Sequence, residues 1–279
     1  MITFITAGRN DDYGQGFLER FYTSVSKNLE SLEKLEVEYE YLIVEWAPIN
    51  SYLIHTGKFA DLFKNNSKLI DVIVRSDVNL NEQLNINSFH EYFAKNVGIR
   101  MSKYSNLVLL NADIVIPFNT MKNIVETIKT GLDKSKYYRP RWRVQVDNNC
   151  KELRKGAVNS AALPEHEAYM KITGDFPGDL FFIDRDTLIN KGKGYDETNF
   201  LHRTISQVHM DSEIMYNLWK NGCTLEYSDD PYWHIEHARS NRNNMQYKNV
   251  NGYPNKPNWG FIDYKRKKRS DNLIEISWL

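Results

Sequence analysis

Leu107-Val108-Leu109-Leu110-Asn111-Ala112-Asp113 is the stretch on which the fold turns. Four consecutive apolar residues have no polar alternation, as expected of a strand covered on both faces in a parallel sheet. Polar Asn111 and Asp113 follow at once, at its carboxyl end. Just upstream, Phe89, Tyr92, Phe93 and Val97 recur at helical spacing, so a helix leads into this strand. Working outward, Ile2 to Ile5, Tyr41 to Val44 and Leu69 to Val74 read as further strands. Between the first two, Phe17, Leu18, Phe21, Tyr22, Val25, Leu29 and Leu32 form one apolar helix face. This β-α-β rhythm predicts an α/β fold, a mostly parallel sheet flanked by helices. Such sheets bind ligands beyond the carboxyl ends of their strands, so polar residues there are the first to weigh.

The second half is less regular. Tyr137 to Val146 reads as an extended hairpin arm and Leu180 to Ile183 as a buried strand. Gln207 to Asn221 reads as a helix that Gly222 stops. From Arg239 to Gly260 the chain is rich in Asn, Tyr, Pro and Gly without a period, which predicts a long loop or lid. The expected division is a main domain over 1–238 and an irregular C-terminal lid or tail over 239–279.

Composition narrows the function classes. Among 279 residues, 36 basic side chains balance 36 acidic ones, without the basic excess of a nucleic-acid-binding domain. Two cysteines, Cys150 and Cys223, cannot build a disulfide framework, which suits a reducing, cytoplasmic setting. No apolar run approaches the roughly 20 residues of a transmembrane helix. Met1 leads directly into a core strand, so neither signal peptide nor anchor is expected. The basic run Lys265 to Arg269 reads as solvated surface. Its alternative is a weak contact with an anionic acceptor or membrane headgroups, worth about 1 kcal/mol per cation.

Four groups of residues carry candidate chemistry. Asp113, a carboxylate at a strand end, suits a hard divalent cation on a phosphate-bearing ligand, although many such residues only turn the chain. Lys95, Asn96 and Arg100 lie on the preceding helix, and cations there would offset phosphate charge. Asp211 opens the Gln207–Asn221 helix, either as a first-turn acid or as a general base. His234-Ile235-Glu236-His237 suggests metal binding, but not the i, i+4 spacing of a zinc helix. In an extended segment His234 and Glu236 would point one way and His237 the other, leaving one histidine as ligand and one in the core.

The order of these segments resembles the GT-A type nucleotide-sugar glycosyltransferases, specifically the inverting, family 2-like ones. Asn96-Val97-Gly98-Ile99-Arg100 followed by Leu109-Leu110-Asn111-Ala112-Asp113 looks like their helix leading to the Asp-x-Asp strand. Gly178 to Asp186 with Gly194-Tyr195-Asp196-Glu197 resembles their acceptor and donor-sugar segment, and brings Asp179 into the site. Asp211, Ile214, Leu218 and Gly222 keep the spacing of the helix whose leading acid is the base, and His234 or His237 resembles the late histidine of the metal site. The resemblance covers residues 1 to 237. It implies transfer of a sugar from a nucleoside-diphosphate donor to a hydroxyl acceptor such as a glycan, assisted by Mn²⁺ or Mg²⁺. Asp113 with His237 or His234 would hold the metal, Asp211 would be the base and Asp179 its stand-in. Thr6, Ala7, Gly8, Arg9, Glu45, Asp77, Lys95, Asn96, Arg100, Asn111 and Ala112 would line the donor site. Asn111 departs from the first Asp of Asp-x-Asp, and Met210 from a leading Glu. A catalytically silent binding homologue is therefore one alternative. A sugar nucleotidyltransferase is another, though Ala7-Gly8-Arg9-Asn10-Asp11-Asp12 is too acidic for its phosphate loop.

Overall fold

A computed structural model describes residues 1–10, 16–48, 51–75, 90–156, 179–195, 197, 210–237, 259 and 265–277. β1 (Ile2–Gly8), β2 (Tyr39–Trp46), β3 (Leu69–Val74) and β4 (Asn106–Leu110) are the four apolar strands of the first half. They lie parallel in the order β3-β2-β1-β4. α1 (Phe17–Lys34) and α2 (Gly57–Asn65) join the first three, and α3 (Glu91–Met101) precedes β4. The chain thus leaves β1 toward β2 and returns on its other side as β4. The carboxyl ends of β1 and β4 consequently flank a topological switch point, the usual ligand crevice of such sheets.

Strand alternation builds two cores. Ile2 and Phe4 pack with α1 through Phe17, Phe21, Val25, Leu29 and Leu32. Ile5 and Ala7, pointing the other way, pack with α3 through Phe93, Ala94 and Val97. Gly98 lets α3 approach β1: a Cβ there would stand 2.5 Å from Ile5 Cγ2 and 3.3 Å from Val44 Cγ2.

Beyond β4 follow β5 (Ile114–Val115), α4 (Phe118–Thr130), β6 (Lys136–Val146), β7 (Glu152–Gly156), β8 (Leu180–Asp184), α5 (Met210–Lys220) and β9 (Thr224–Ile235). β8 runs antiparallel beside β4, then come β6, β9 and β5, with β7 alongside β6. Tyr137 to Val146 does form the expected hairpin arm with β7, but it also lies parallel to β9 inside the sheet. Gly222 follows α5 with φ +80°, a left-handed stop that suits glycine.

The tail differs from the expectation of irregular chain. β10 (Lys265–Ser270) and β11 (Leu273–Ser277) form a hairpin, and β11 pairs parallel with β3, extending the sheet. Ile276 is buried there against the α3-side core. The basic run is therefore an exposed edge strand, where cations oppose pairing with a second molecule. The expected lid over 239–260 lies outside the described residues, apart from Trp259. Among the described residues, no helix is long and apolar enough to cross a membrane.

Two buried polar devices shape the site end of the sheet. Asn28 on α1 donates from Nδ2 to the carbonyl of Ile114 (2.9 Å) and accepts at Oδ1 from the amide of Ile116 (2.8 Å). Ser24, one turn earlier, donates to the same carbonyl. Together they pin β5 and the residue that follows it. Replacing Asn28 by Ala leaves the Ile114 carbonyl its Ser24 partner but strands the Ile116 amide. The expected loss is about 1–3 kcal/mol of unfolding free energy, measurable by urea denaturation.

The second device is a carboxyl pair. Glu45 on β2 is fully buried and accepts the Leu53 amide at 2.6 Å, while Asp71 on β3 accepts the Ile54 amide at 3.2 Å. They hold the helical turn Leu53–His55 over the strand ends. Burial, then the neighbouring Asp71, pushes the Glu45 carboxyl well above its usual range, and burial pushes Asp71 up to about 7. Folding thus retains protons that the unfolded chain releases near pH 4. The pair's contribution is present at low pH and is lost as pH rises toward 7, where native carboxyls must ionise. The stability gained by Asp71→Asn over the parent should therefore grow from about pH 4 to about pH 7 and then level off in denaturation curves taken across that range.

Candidate functional site

The site forms where the turn after β4 meets the end of β9. Asn111 and Ala112 carry the chain past β4, and the Ile114 amide donates to the Asn111 carbonyl at 3.2 Å. β5 pairs antiparallel with β9, Ile114 opposite His234, and the Ile235 amide donates to the Asp113 carbonyl at 3.0 Å. Asp113 Oδ2 consequently lies 3.3 Å from His234 Nε2 and 3.0 Å from His237 Nε2. The two rings stand 5.3 Å apart between centroids. Strand alternation predicted opposite directions for the histidines. Instead β9 ends at Ile235, and His237, two residues on, turns back toward Asp113. Burial alone would raise the Asp113 carboxyl, but the charges and hydrogen bonds of His234 and His237 outweigh it and hold it well below the carboxylate range.

One carboxylate and two imidazoles, their ligand atoms all within 4.8 Å, fit a divalent cation. Mg²⁺ prefers oxygen ligands throughout, whereas Mn²⁺ accepts imidazole nitrogen beside carboxylate.

A polar belt runs from this cluster across four strands. Arg143 on β6 pairs with Asp179, just before β8, Nη1 to Oδ2 at 2.9 Å. Tyr232 on β9 donates its hydroxyl to the same oxygen at 3.1 Å, and Arg139 Nη2 donates to that hydroxyl at 3.3 Å. Asn111 binds Asp179 twice, through its backbone amide to the carbonyl (2.9 Å) and through Nδ2 to Oδ1 (3.3 Å). Lys95, fully buried on α3, donates to Asn111 Oδ1 at 2.5 Å and pairs with Glu91 at 2.8 Å. The amide of Asn111 is thus a connector. A carboxylate at that position would keep Lys95 but lose the donor to Asp179 and set a like charge against it.

Arg143, Gln145 and Tyr232 were not singled out from sequence. The signal available was polar alternation along β6, with Arg141, Arg143 and Gln145 between Trp142, Val144 and Val146. Their meaning depends on register: Arg143 lies opposite Tyr232 and Gln145 opposite His234.

Other expected donor residues have different surroundings. β1 continues to Gly8, so Thr6 and Ala7 are buried sheet residues paired with Ile43 and Val44 rather than loop residues. Arg9 follows at the strand end, 3% exposed. Glu45 is sealed beneath the Leu53–His55 turn and has no open face for a base or ribose. Ala112 packs in the α1-side core. Asn96 clamps the 195–197 segment instead of lining a pocket. Its Nδ2 donates to the Tyr195 carbonyl (2.9 Å) and Glu197 (2.7 Å), and its Oδ1 accepts from the Tyr195 amide (2.7 Å). Arg100 stacks on Trp259 at 3.7 Å and donates to its carbonyl. It sits five residues beyond Lys95, roughly 7 Å further along a helix running away from the strand ends. Asp77 lies outside the described residues. Asp211 falls in the first turn of α5, but its side chain is also outside them.

No family model and no curated protein matches the chain. Two solved structures of S. aureus TarS, residues 1–349, are similar to it at 11% identity. The first covers 84% of this chain and 60% of its own, with TM-score 0.47. The second, in complex with UDP-GlcNAc, covers 88% and 61%, with TM-score 0.50. The chain thus spans about three fifths of the solved chains it matches. The likeness to the second of these is one of fold, a helix-flanked sheet with a parallel centre.

Proposed function

We propose that this chain is a nucleotide-sugar glycosyltransferase that moves a sugar from a nucleoside diphosphate to an acceptor hydroxyl with the help of Mn²⁺. The observation that carries this reading is the Asp113–His234–His237 cluster beyond the central strands, beside the switch point of a fold also solved with UDP-GlcNAc bound. A cation held by Asp113 and a histidine would neutralise the diphosphate as a Lewis acid when bound. Lys95, paired with Glu91, presents its ammonium at the same strand end through Asn111.

Asp211 is assigned as the base that accepts the acceptor's proton, giving inversion at the anomeric carbon. Its place in the first turn of α5 supports this, together with the spacing it shares with the inverting enzymes. Asp179 is less suited to that task. Arg143, Tyr232 and Asn111 already occupy its oxygens, so it orders the belt rather than taking a proton. Asn111 does not favour a silent homologue, because its amide is built into the belt from both sides.

Thermal-shift titration with a panel of nucleoside diphosphates, with and without Mn²⁺, tests the reading. Stabilisation by at least one nucleotide should depend on Mn²⁺ in the parent and vanish in Asp113→Ala. Retained Mn²⁺-dependent stabilisation in that variant would remove Asp113 from the site. With a donor identified, Asp211→Asn should lower turnover by about 10²- to 10⁴-fold at nearly unchanged donor affinity. Asn removes only the first-turn charge, worth about 0.3–1 kcal/mol, so near-parental turnover would reduce Asp211 to a first-turn acid.

A further inference from the structure

Gln145 on β6 lies against His234, and its amide can be oriented from its surroundings. One end of the amide is 2.8 Å from Glu236 Oε2, 3.2 Å from the His234 carbonyl and 2.8 Å from His234 Nδ1. The other end is 3.1 Å from Arg143 Nε. A carboxylate and a carbonyl only accept, and a guanidinium only donates. The NH₂ group therefore faces Glu236 and His234, and the amide oxygen faces Arg143. Both neighbours are themselves held, Glu236 by Arg154 at 3.1 Å and Arg143 by Asp179 at 2.9 Å.

This orientation decides the state of His234. An Nδ1–H facing an NH₂ group would set donor against donor, so Nδ1 must carry the lone pair. The ring proton of neutral His234 then sits on Nε2, which points at Asp113 Oδ2. A protonated Nε2 has no lone pair to give a metal. For His234 to become a ligand through Nε2 its proton must move to Nδ1 and the amide must turn over. Its oxygen would then stand 2.8 Å from Glu236 Oε2 and its NH₂ group would face Arg143 Nε, two repulsive contacts in place of two hydrogen bonds. His237 lies beyond the end of β9 and is the more open ring, at 28% against 11% exposure.

We infer that Gln145 is a positioning residue that locks His234 as an N–H donor to Asp113, so that His237 alone supplies an imidazole to the cation. The lock divides two histidines of equal reach into an orienting group and a ligand. Ligand-bearing groups in metal sites are commonly fixed by such outer hydrogen bonds. The ligand half of the inference rests on the metal reading above, while the tautomer half does not.

The test therefore has two arms on the full chain. In the metal-free protein, long-range ¹H–¹⁵N correlation of the histidine rings, at a pH where they are neutral, should show His234 protonated on Nε2. In Gln145→Glu the carboxylate accepts from Nδ1–H, and the tautomer should reverse. An Nδ1–H tautomer in the parent would overturn the lock. In the second arm, ¹⁴N spin-echo modulation of the protein loaded with Mn²⁺ should show one coupled imidazole. That coupling should persist in His234→Ala and disappear in His237→Ala, with thermal melting confirming that both variants are folded. Two coupled imidazoles, or loss of coupling in His234→Ala, would overturn the assignment. Failure of the parent to bind Mn²⁺ would instead sink the metal reading, with the ring tautomer still deciding the role of Gln145.

Discussion

The Arg143–Asp179 ion pair, 11% and 13% exposed, is the contact on which the site end of the molecule depends. A pair this far from water holds together only if its remaining hydrogen-bonding groups are satisfied. Tyr232 and Asn111 do this for the carboxylate, and the Gln145 amide oxygen for the guanidinium. These residues come from β6, β9 and the segments after β4 and before β8, so satisfying the pair fixes those elements relative to one another. Removing one member of such a pair costs about 3–5 kcal/mol, because the other charge is left buried. That stiffness fixes the strand ends that carry Asp113 and the two histidines.

The sheet's wiring explains why these groups meet at this end. β1 to β4 run parallel, so their carboxyl ends share one edge, and the turn after β4 opens there. β6 and β9 extend the sheet beyond β8, parallel to each other, and bring a second set of polar side chains to the same region. β5, only two residues long, is the hinge between the two sets. It is fixed from below by Ser24 and Asn28 of α1 and from the side by β9. A buried helix residue far from any chemistry thus sets the position of Asp113.

Helix α3 shows how one motif divides its labour. Glu91 and Lys95, one turn apart, serve the strand end through Asn111. Asn96 and Arg100, also one turn apart, serve the 195–197 segment and Trp259. Gly98 between them lets the helix settle onto Ile5 and Val44. The polar residues therefore lie on two faces, and only the first face reaches the candidate site. The basic tail strand likewise serves the fold, closing the β3 side of the sheet with an edge that resists further pairing.

Residue order alone was enough for the α/β architecture and for placing Asp113 at a strand end, because apolar runs and helical periods are local signals that tertiary contacts reinforce here. Leu69–Val74 matched to the residue and Leu107–Leu110 to within one. Burial overrides polarity at other expected donor residues. Glu45 looks like a ligand group but is sealed under a turn with Asp71, and Thr6 and Ala7 continue a strand because β2 continues beside them. Elsewhere the meaning of a residue lies in strand register. Whether Gln145 faces His234 depends on β6 and β9 pairing in parallel across some ninety intervening positions, which no local pattern encodes. The direction of His237 depends on where the β9 ladder stops. Local chemistry thus located the strand-end carboxylate and its histidines, while long-range pairing chose which polar groups surround them and in which orientation.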